Sequence, residues 1–390
     1  MTFDECLSKM VAPGQIRASK PYRNGVIQIH VTRACNLACY GCTQGSNLGG
    51  HVEFMSPEHF EQAVRSLGFR DGDGERDNGF DVNDGSGRYF GVVGVFGGNP
   101  AMSPHFFNYC RILQRLVPFD QRGLWCNHPK GKGALMRSTF NPRYSNINVH
   151  LDQAAYDEFR RDWPEVRPVG LTNDSRHSPV MLAMKDVVTK PCPKCHGEGC
   201  SPHGILANGP CEDVPDYDRI WELVSACDIN QNWSAMIGVS RGELRAWFCE
   251  VAGAQSMLHQ HEPEYPDTGI PIHKDGLSYS QDIKSSWFGY GTSGCEADPD
   301  WGKRNEMWWQ APMHMFADQV RKHCVECGVP LRGYGELSQA ENGVEKTSKT
   351  HANIFKPKRV GRKVEVCTDL VQLGIGKIER VTHYLQNASR

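Results

Sequence analysis

The chain has 390 residues, 39% hydrophobic and 23% charged, enough to bury a sizeable core and to form two domains or one large domain with an appendage. Lys and Arg number 43 against 45 Asp and Glu, a net charge of −2, so a binder held by bulk positive charge is excluded, although a local basic patch is not. The unusual count is 16 cysteines, which in a long chain without a leader points to metal or redox chemistry more than to disulfides. Residues 1–25 contain no run of seven apolar residues to act as a signal core. No stretch approaches the roughly 20 apolar residues of a membrane span. The expectation is a soluble protein of a reducing cytoplasm, its thiols free to bind metal.

In chain order, Val26 to Val31 reads as a strand, and a cysteine cluster follows at once. Ser56-Pro57-Glu58 starts a helix, with Ser as N-cap and Pro at the first helical position; Phe60, Ala63, Val64 and Leu67 hold helical spacing. Asp71 to Arg88 is a Gly/Asp-rich insertion that lacks the glycine of a calcium loop, and it reads as a solvated loop. Tyr89 to Phe96 is a strand running into Gly97-Gly98-Asn99-Pro100, and Ser103-Pro104 caps a second helix with Phe106, Cys110, Leu113 and Val117 on one face. Further strands are expected at Gly123 to Cys126, Asn146 to Asp152 and Val180 to Val187, with helices at Ala154 to Arg161 and Tyr217 to Ala226. Strands alternating with helices at this spacing argue for an α/β fold with a parallel sheet or barrel.

From about Asn230 the pattern changes. Trp233 to Val239 and Leu244 to Cys249 flank a Ser-Arg-Gly-Glu turn and read as a β-hairpin. Ala311 to Cys324 reads as a helix with Met315, Phe316 and Val320 inward. The last fifty residues carry ten Lys/Arg against five Asp/Glu, and five of the ten fall in the run Lys356 to Lys363.

Cys35, Cys39 and Cys42 stand at x3, x2 spacing in a loop after a strand. A tight loop can aim three sulfurs at one cluster face. A structural zinc site uses four protein ligands and iron–sulfur clusters are ordinarily held by four cysteines, so a missing fourth ligand is an open coordination site suited to chemistry. At these residues the chain resembles the radical S-adenosylmethionine superfamily, over about residues 26–230. The resemblance implies a partial (β/α)6 TIM-like barrel, and a 4Fe-4S cluster on the three cysteines whose unique iron chelates S-adenosylmethionine. It also implies a flavodoxin- or ferredoxin-like electron donor, and reductive cleavage to a 5′-deoxyadenosyl radical that abstracts a substrate hydrogen. The family's second strand normally ends Gly-Gly-Glu-Pro, cradling the methionine end of the cofactor; Gly97, Gly98, Asn99 and Pro100 stand there, with the glycines permitting close approach and Asn99 lacking the carboxylate charge. The residue before the third cysteine, usually aromatic, is Gly41, leaving Tyr40 as the candidate adenine contact. Asp152 is a candidate ribose contact, or a helix N-cap for Ala154 onward.

Cys192, Cys195, Cys200 and Cys211 offer four further thiols, and Cys324 and Cys327 form a second Cys-x2-Cys knuckle. In one partition Cys192, Cys195, Cys200 and Cys211 hold one metal, while Cys249, Cys295, Cys324 and Cys327 hold another. That second set loosely resembles the SPASM and twitch extensions of the superfamily, which carry auxiliary 4Fe-4S clusters. In the other partition the two knuckles pair as a zinc ribbon. Spacing leaves auxiliary 4Fe-4S and zinc both open. Of the remainder, Cys110 lies on an apolar helix face and reads as core, and Cys126 ends a strand towards the expected active-site mouth as a candidate catalytic thiol. Lys185 and Asp186 are acid–base candidates by position alone. Cys6, Cys227 and Cys367 read as ordinary.

The expected organisation is an N-terminal extension (1–25), the radical core (26–230), a smaller cysteine-rich α+β extension (231–335) and a basic tail (336–390). The substrate reading leaves a peptide side chain, a nucleobase or a small metabolite. The basic run could follow phosphates, and some phage-type pathways that elaborate thymine in DNA use radical isomerases. The rival from another class is a non-enzymatic zinc-ribbon nucleic-acid binder with no S-adenosylmethionine site.

Overall fold

The computed structural model describes residues 1–15, 25–35, 43–44, 53–77, 87–127, 131–148, 153–166, 168–169, 183–191, 213–232, 234–272, 307–331, 357–360 and 363–366. Helix α1 (Phe3–Lys9) precedes strand β1 (Val26–His30), and α2 (Pro57–Arg65) leads to β2 (Val92–Phe96). Then come α3 (Phe106–Leu116), β3 (Arg122–Asn127), α4 (Gly133–Thr139), β4 (Ser145–Asn148), α5 (Gln153–Asp162) and β5 (Pro168–Val169). The short α6 (Met184–Val187), β6 (Thr189–Lys190) and β7 (Val214–Pro215) are followed by α7 (Tyr217–Ser225) and α8 (Asp228–Asn232). The C-terminal part holds β8 (Ser234–Ser240), β9 (Glu243–Trp247), α9 (Glu250–Leu258), β10 (Ile270–Pro271), α10 (Ala317–His323), β11 (Pro357–Val360) and β12 (Lys363–Val366).

β1 and β2 are buried at every position, as parallel strands covered on both faces are. They lie within one sheet of order β10-β9-β8-β1-β2-β3-β4-β5, in which β8 through β5 run parallel and β9 is antiparallel to β8. The chain is therefore α/β with a mostly parallel sheet. Among the described residues the sheet is not closed: β10 and β5 are its edges.

β8 pairs with β1, Val26 opposite Ser234 and Ile29 opposite Ile237. The expected border between residues 230 and 231 thus falls just before a strand that sits at the middle of the main sheet. The N-terminal stretch packs against the segment that leads into β8. Cys6 and Leu7 of α1 are buried, and Asn230 exchanges two hydrogen bonds with the Val11 backbone, at 3.0 and 2.9 Å. One expectation is corrected. Of the strand expected at Val180 to Val187, residues 180–182 lie outside the described residues, and Met184–Val187 form helix α6, closed by the Val188 N–H donating to Met184 O. Part of the basic run forms the β11–β12 ribbon, with Lys358 opposite Glu365.

Two helix starts show how sequence makes the core. Ser56 Oγ accepts the His59 backbone N–H at 3.1 Å and Pro57 takes the first helical position, so α2 begins as expected and buries Phe60, Ala63 and Val64. α3 begins at Phe106, three residues after Ser103, whose Oγ accepts the His105 N–H instead. Phe60 stacks on Tyr109 at 4.6 Å between ring centroids, and Cys110 is buried beside them. The Arg122 guanidinium, pulled down to about 10 by burial but still charged at neutral pH, donates to the carbonyls of Val117, Gln114 and Gly74. It thereby joins the start of β3 to the negative end of α3.

The two sheet faces differ. Ile27, Ile29, Val93, Val95, Leu124 and Cys126 belong to the core cluster shared with α2 and α3, whereas Val26, Val92, Phe96, Trp125 and Tyr144 form a separate cluster on the opposite face. On that second face lies α9, eight of whose nine residues are buried. Gly253 stands so close to Met236, and Gly238 to Met257, that an added Cβ would meet them at 2.3 and 2.7 Å. Gln28 of β1 donates to the buried Glu250 carboxylate of α9 at 2.8 Å.

Candidate functional site

The parallel strands end together, and the loops that leave them are joined backbone to backbone. Beyond β1 and β2 the ladder continues: Val31 N–H donates to Phe96 O, Gly98 N–H to Thr32 O and Asn99 N–H to Ala34 O, at 2.9, 2.8 and 2.7 Å. Such proximity leaves no space for side chains. A Cβ on Gly97, whose φ is +146°, would meet Thr32 O at 2.3 Å, and one on Gly98 would meet Ala34 O at 2.5 Å. The glycines thus serve contact with the segment that delivers Cys35, rather than an approach to a ligand alone. Asn99 is buried, and its Oδ1 accepts the Ala101 N–H at 3.2 Å, capping the short helical turn Pro100–Met102.

At this rim the Asn127 amide, at the end of β3, donates to Cys35 Sγ at 3.0 Å. Trp125 and Asn127 share one face by strand alternation. Cys126 points to the other, into the helix-covered core, where its Sγ donates to Asn127 O. Burial, and then the neighbouring Cys35, push the Cys126 thiol above its ordinary range, so it stays protonated and does not line the face that Cys35 borders. Asn127 is the rim residue that sequence reading missed; the signal was the two-residue alternation, under which the last residue of the strand and not the cysteine before it faces inward.

His30 ends β1 on the same inner face, edge-on to Phe96 at 6.2 Å. It is 1% exposed, and neither ring nitrogen has a hydrogen-bond partner among the described residues. Burial, then the Arg33 charge, pull it down to about 3, so the ring is neutral and keeps one donor and one acceptor. Orphaned buried polar atoms are rare in native interiors. Here they lie on the face that Cys35 borders, and they fit a polar group bound at the rim.

Other expected site residues divide. Cys39, Cys42, Tyr40 and Asp152 lie outside the described residues, as do Cys192, Cys195, Cys200, Cys211 and Cys295. Lys185 lies on α6 and pairs with Glu326, and neither it nor Asp186 ends a barrel strand. Cys249, Cys324 and Cys327 line one cavity. They are joined there by Cys227, which sequence reading left as ordinary.

Two outcomes follow from this geometry. Gly97→Ala forces the two loop backbones apart and lowers stability by about 1–3 kcal/mol, read as a drop in thermal midpoint; an unchanged midpoint contradicts the close-contact role. For His30, the unfolded chain takes up a proton below about pH 6.5 that the folded chain refuses until about 3. Stability therefore falls as pH drops through that window, by up to about 1.4 kcal/mol per pH unit from this one group. His30→Phe flattens that slope, which urea midpoints at about pH 7 and about pH 5 measure in both chains.

No protein-family model matches this chain and no curated protein matches it, so the chemistry of the rim is read from its own residues.

Proposed function

We propose that the chain is a radical S-adenosylmethionine enzyme in which Cys35, Cys39 and Cys42 hold a 4Fe-4S cluster at the C-terminal rim of the parallel sheet. On this reading the six parallel strands are a partial (β/α)6 barrel, opened at its edges. The observation that carries the reading is the Cys35 sulfur at the end of the central strand, accepting the Asn127 amide at 3.0 Å. An N–H directed at sulfur is what orients and tunes a ligating thiolate. The spacing of the next two cysteines supplies the other ligands, and the His30 ring, without a hydrogen-bond partner among the described residues, supports a polar ligand beside them.

When bound, the cluster and S-adenosylmethionine would supply one-electron cleavage of a sulfonium bond and a hydrogen-abstracting 5′-deoxyadenosyl radical. The chain's own residues do the rest. Gly97 and Gly98 lock the Cys35 segment against the end of β2. Phe96 and Trp125 wall the inner face with apolar surface, which excludes water from a reactive radical. His30, neutral, offers one donor and one acceptor without adding charge. The supported substrate classes are a peptide side chain and a nucleobase. The second is favoured by the ribbon that carries Lys358, Arg359 and Lys363, since a two-stranded ribbon fits a nucleic-acid groove.

The test is 5′-deoxyadenosine formation from S-adenosylmethionine by the anaerobically reconstituted chain with dithionite. Cys35→Ala is expected to abolish it; undiminished product from that variant would overturn the reading. Asn127→Leu removes the hydrogen bond that eases addition of negative charge to a thiolate-bound cluster. It is expected to lower the reduction potential and to slow product formation about 10- to 100-fold, while iron content stays that of the parent chain.

A further inference from the structure

Strand alternation and register define which side chains the inner face of β1 to β4 presents. Gln28 is level with Gly94, His30 with Phe96, Gly94 with Gly123, and Trp125 with Asn146. Among the described residues, the inner positions of these strands hold two aromatic rings, an imidazole and carboxamides, and no Asp, Glu, Lys or Arg. The Trp125 indole leans back over two glycines: a Cβ on Gly94 or Gly123 would meet its Cζ3 at 2.6 or 2.7 Å. It thus lies along the sheet, in one cluster with Phe96, as an aromatic surface. Gln28 and His30 are 0% and 1% exposed, Trp125 7% and Asn127 9%, and Asn146 is half-buried, so the face opens towards β4.

The deep end of this face is polar and incompletely satisfied. Gln28 donates its amide N–H to Glu250 of α9 at 2.8 Å, while its Oε1 has no hydrogen-bond partner among the described residues. Neither His30 nitrogen has one either. Buried polar atoms of this kind are costly unless something pairs with them. The neutral ring offers one donor and one acceptor, and Gln28 a further acceptor two residues down the strand. The charges nearby come from off the strands: Glu250, held by Gln28, and Arg33 in the loop after β1. A charged side chain brought here would lose its hydration with no opposite charge on the strands to replace it. A flat, uncharged ring with donors and acceptors around its edge suits both parts of the face. Its faces meet aromatic surface and its edge meets imidazole and amide.

We propose that the inner face of β1 to β4 holds an unstacked nucleobase, its ring against Trp125 and its hydrogen-bonding edge towards His30 and Gln28. What is done to the base rests on the radical reading; base binding itself needs no cluster. Of the two substrate classes that reading leaves, the face selects the nucleobase over a charged peptide side chain. A base must leave its stack to reach such a face, so the ligand is a single strand or an opened duplex. Because its strands are uncharged, the face reads the base and leaves the phosphates to other parts of the chain. The adenine of S-adenosylmethionine shares this chemistry, and the two sources are separated by competition.

The test compares two short fluorescein-labelled single strands of equal length, one of mixed sequence and one abasic throughout, which carry the same phosphates. Binding is followed by fluorescence anisotropy with the full chain carrying Cys35→Ala, so that no radical chemistry intervenes. The strand with bases is expected to bind at least about tenfold more tightly than the abasic one. His30→Phe keeps a ring but removes both nitrogens, and is expected to cut that contrast about fivefold while abasic binding stays the same. If His30→Phe does not fold, Asn146→Ala at the half-buried mouth is expected to cut the contrast about threefold. Saturating S-adenosylmethionine, added to the reconstituted native chain, is expected to leave the contrast in place. Equal binding of the two strands, or a contrast that survives both substitutions, overturns the assignment and leaves the peptide side chain as substrate class. A contrast abolished by S-adenosylmethionine gives the face to the cofactor's adenine and overturns it as well. 5′-Deoxyadenosine formation by the native chain is read separately: product with equal binding refutes the base site alone, and contrast without product refutes the radical reading alone.

Discussion

Everything at the rim depends on two backbones that touch. Between Thr32–Ala34 and Gly97–Asn99 the β1–β2 ladder runs on past the strand ends, and it does so because neither glycine carries a Cβ. Hydrogen bonding of this kind fixes position along the strand and across it, so the Cys35 sulfur inherits the register of the sheet. The loop that follows is therefore launched from a defined point. A cysteine held by a floppy connection would pay an ordering cost each time a ligand bound; one zipped to a buried ladder does not.

The sheet that supplies this register is braced unequally. α2 and α3 meet one face through aliphatic and aromatic side chains, the usual interlocking of a helix layer on a parallel sheet. α9 meets the other with glycine against methionine, near enough that the sulfur chain fills what a Cβ would occupy. A helix buried on nearly every side has no solvent face to satisfy, which explains why its sequence, Glu250 to Leu258, is apolar around its circumference apart from Glu250, Gln255 and Ser256. Glu250 is tolerated because Gln28 reaches it across the sheet, and because it stands in the first turn, where the helix end is positive.

Local signals were legible and long-range ones were not. The Ser56-Pro57 start, the apolar spacing of α2, and the strand that delivers Cys35 each depend on neighbours in sequence, and each is where sequence placed it. The hairpin of β8 and β9 was also legible, but its insertion beside β1 was not. Pairing between residues some two hundred positions apart leaves no mark in a window of ten. The same reason hid Cys227: it has no knuckle partner nearby, and only the fold brings it to Cys249, Cys324 and Cys327. Cys126 and Asn127 show a finer limit, since a strand's alternation is strict and reading the wrong one of two adjacent residues inverts the face. For Met184–Val187 the sequence, two apolar and two charged residues, suits a strand or a helix turn equally, and only the folded backbone decides.

The two ends of the sheet hold a last consequence. β5 is Pro168–Val169 and β10 is Ile270–Pro271; each border is a two-residue strand and each includes a proline. Proline offers no N–H to an incoming strand, and so short a border gives little length on which to dock. A sheet that does not close on itself would otherwise present two templates for sticking to its own copies. Among the described residues both borders are blunted by the proline they include, so each is a poor template for an incoming strand.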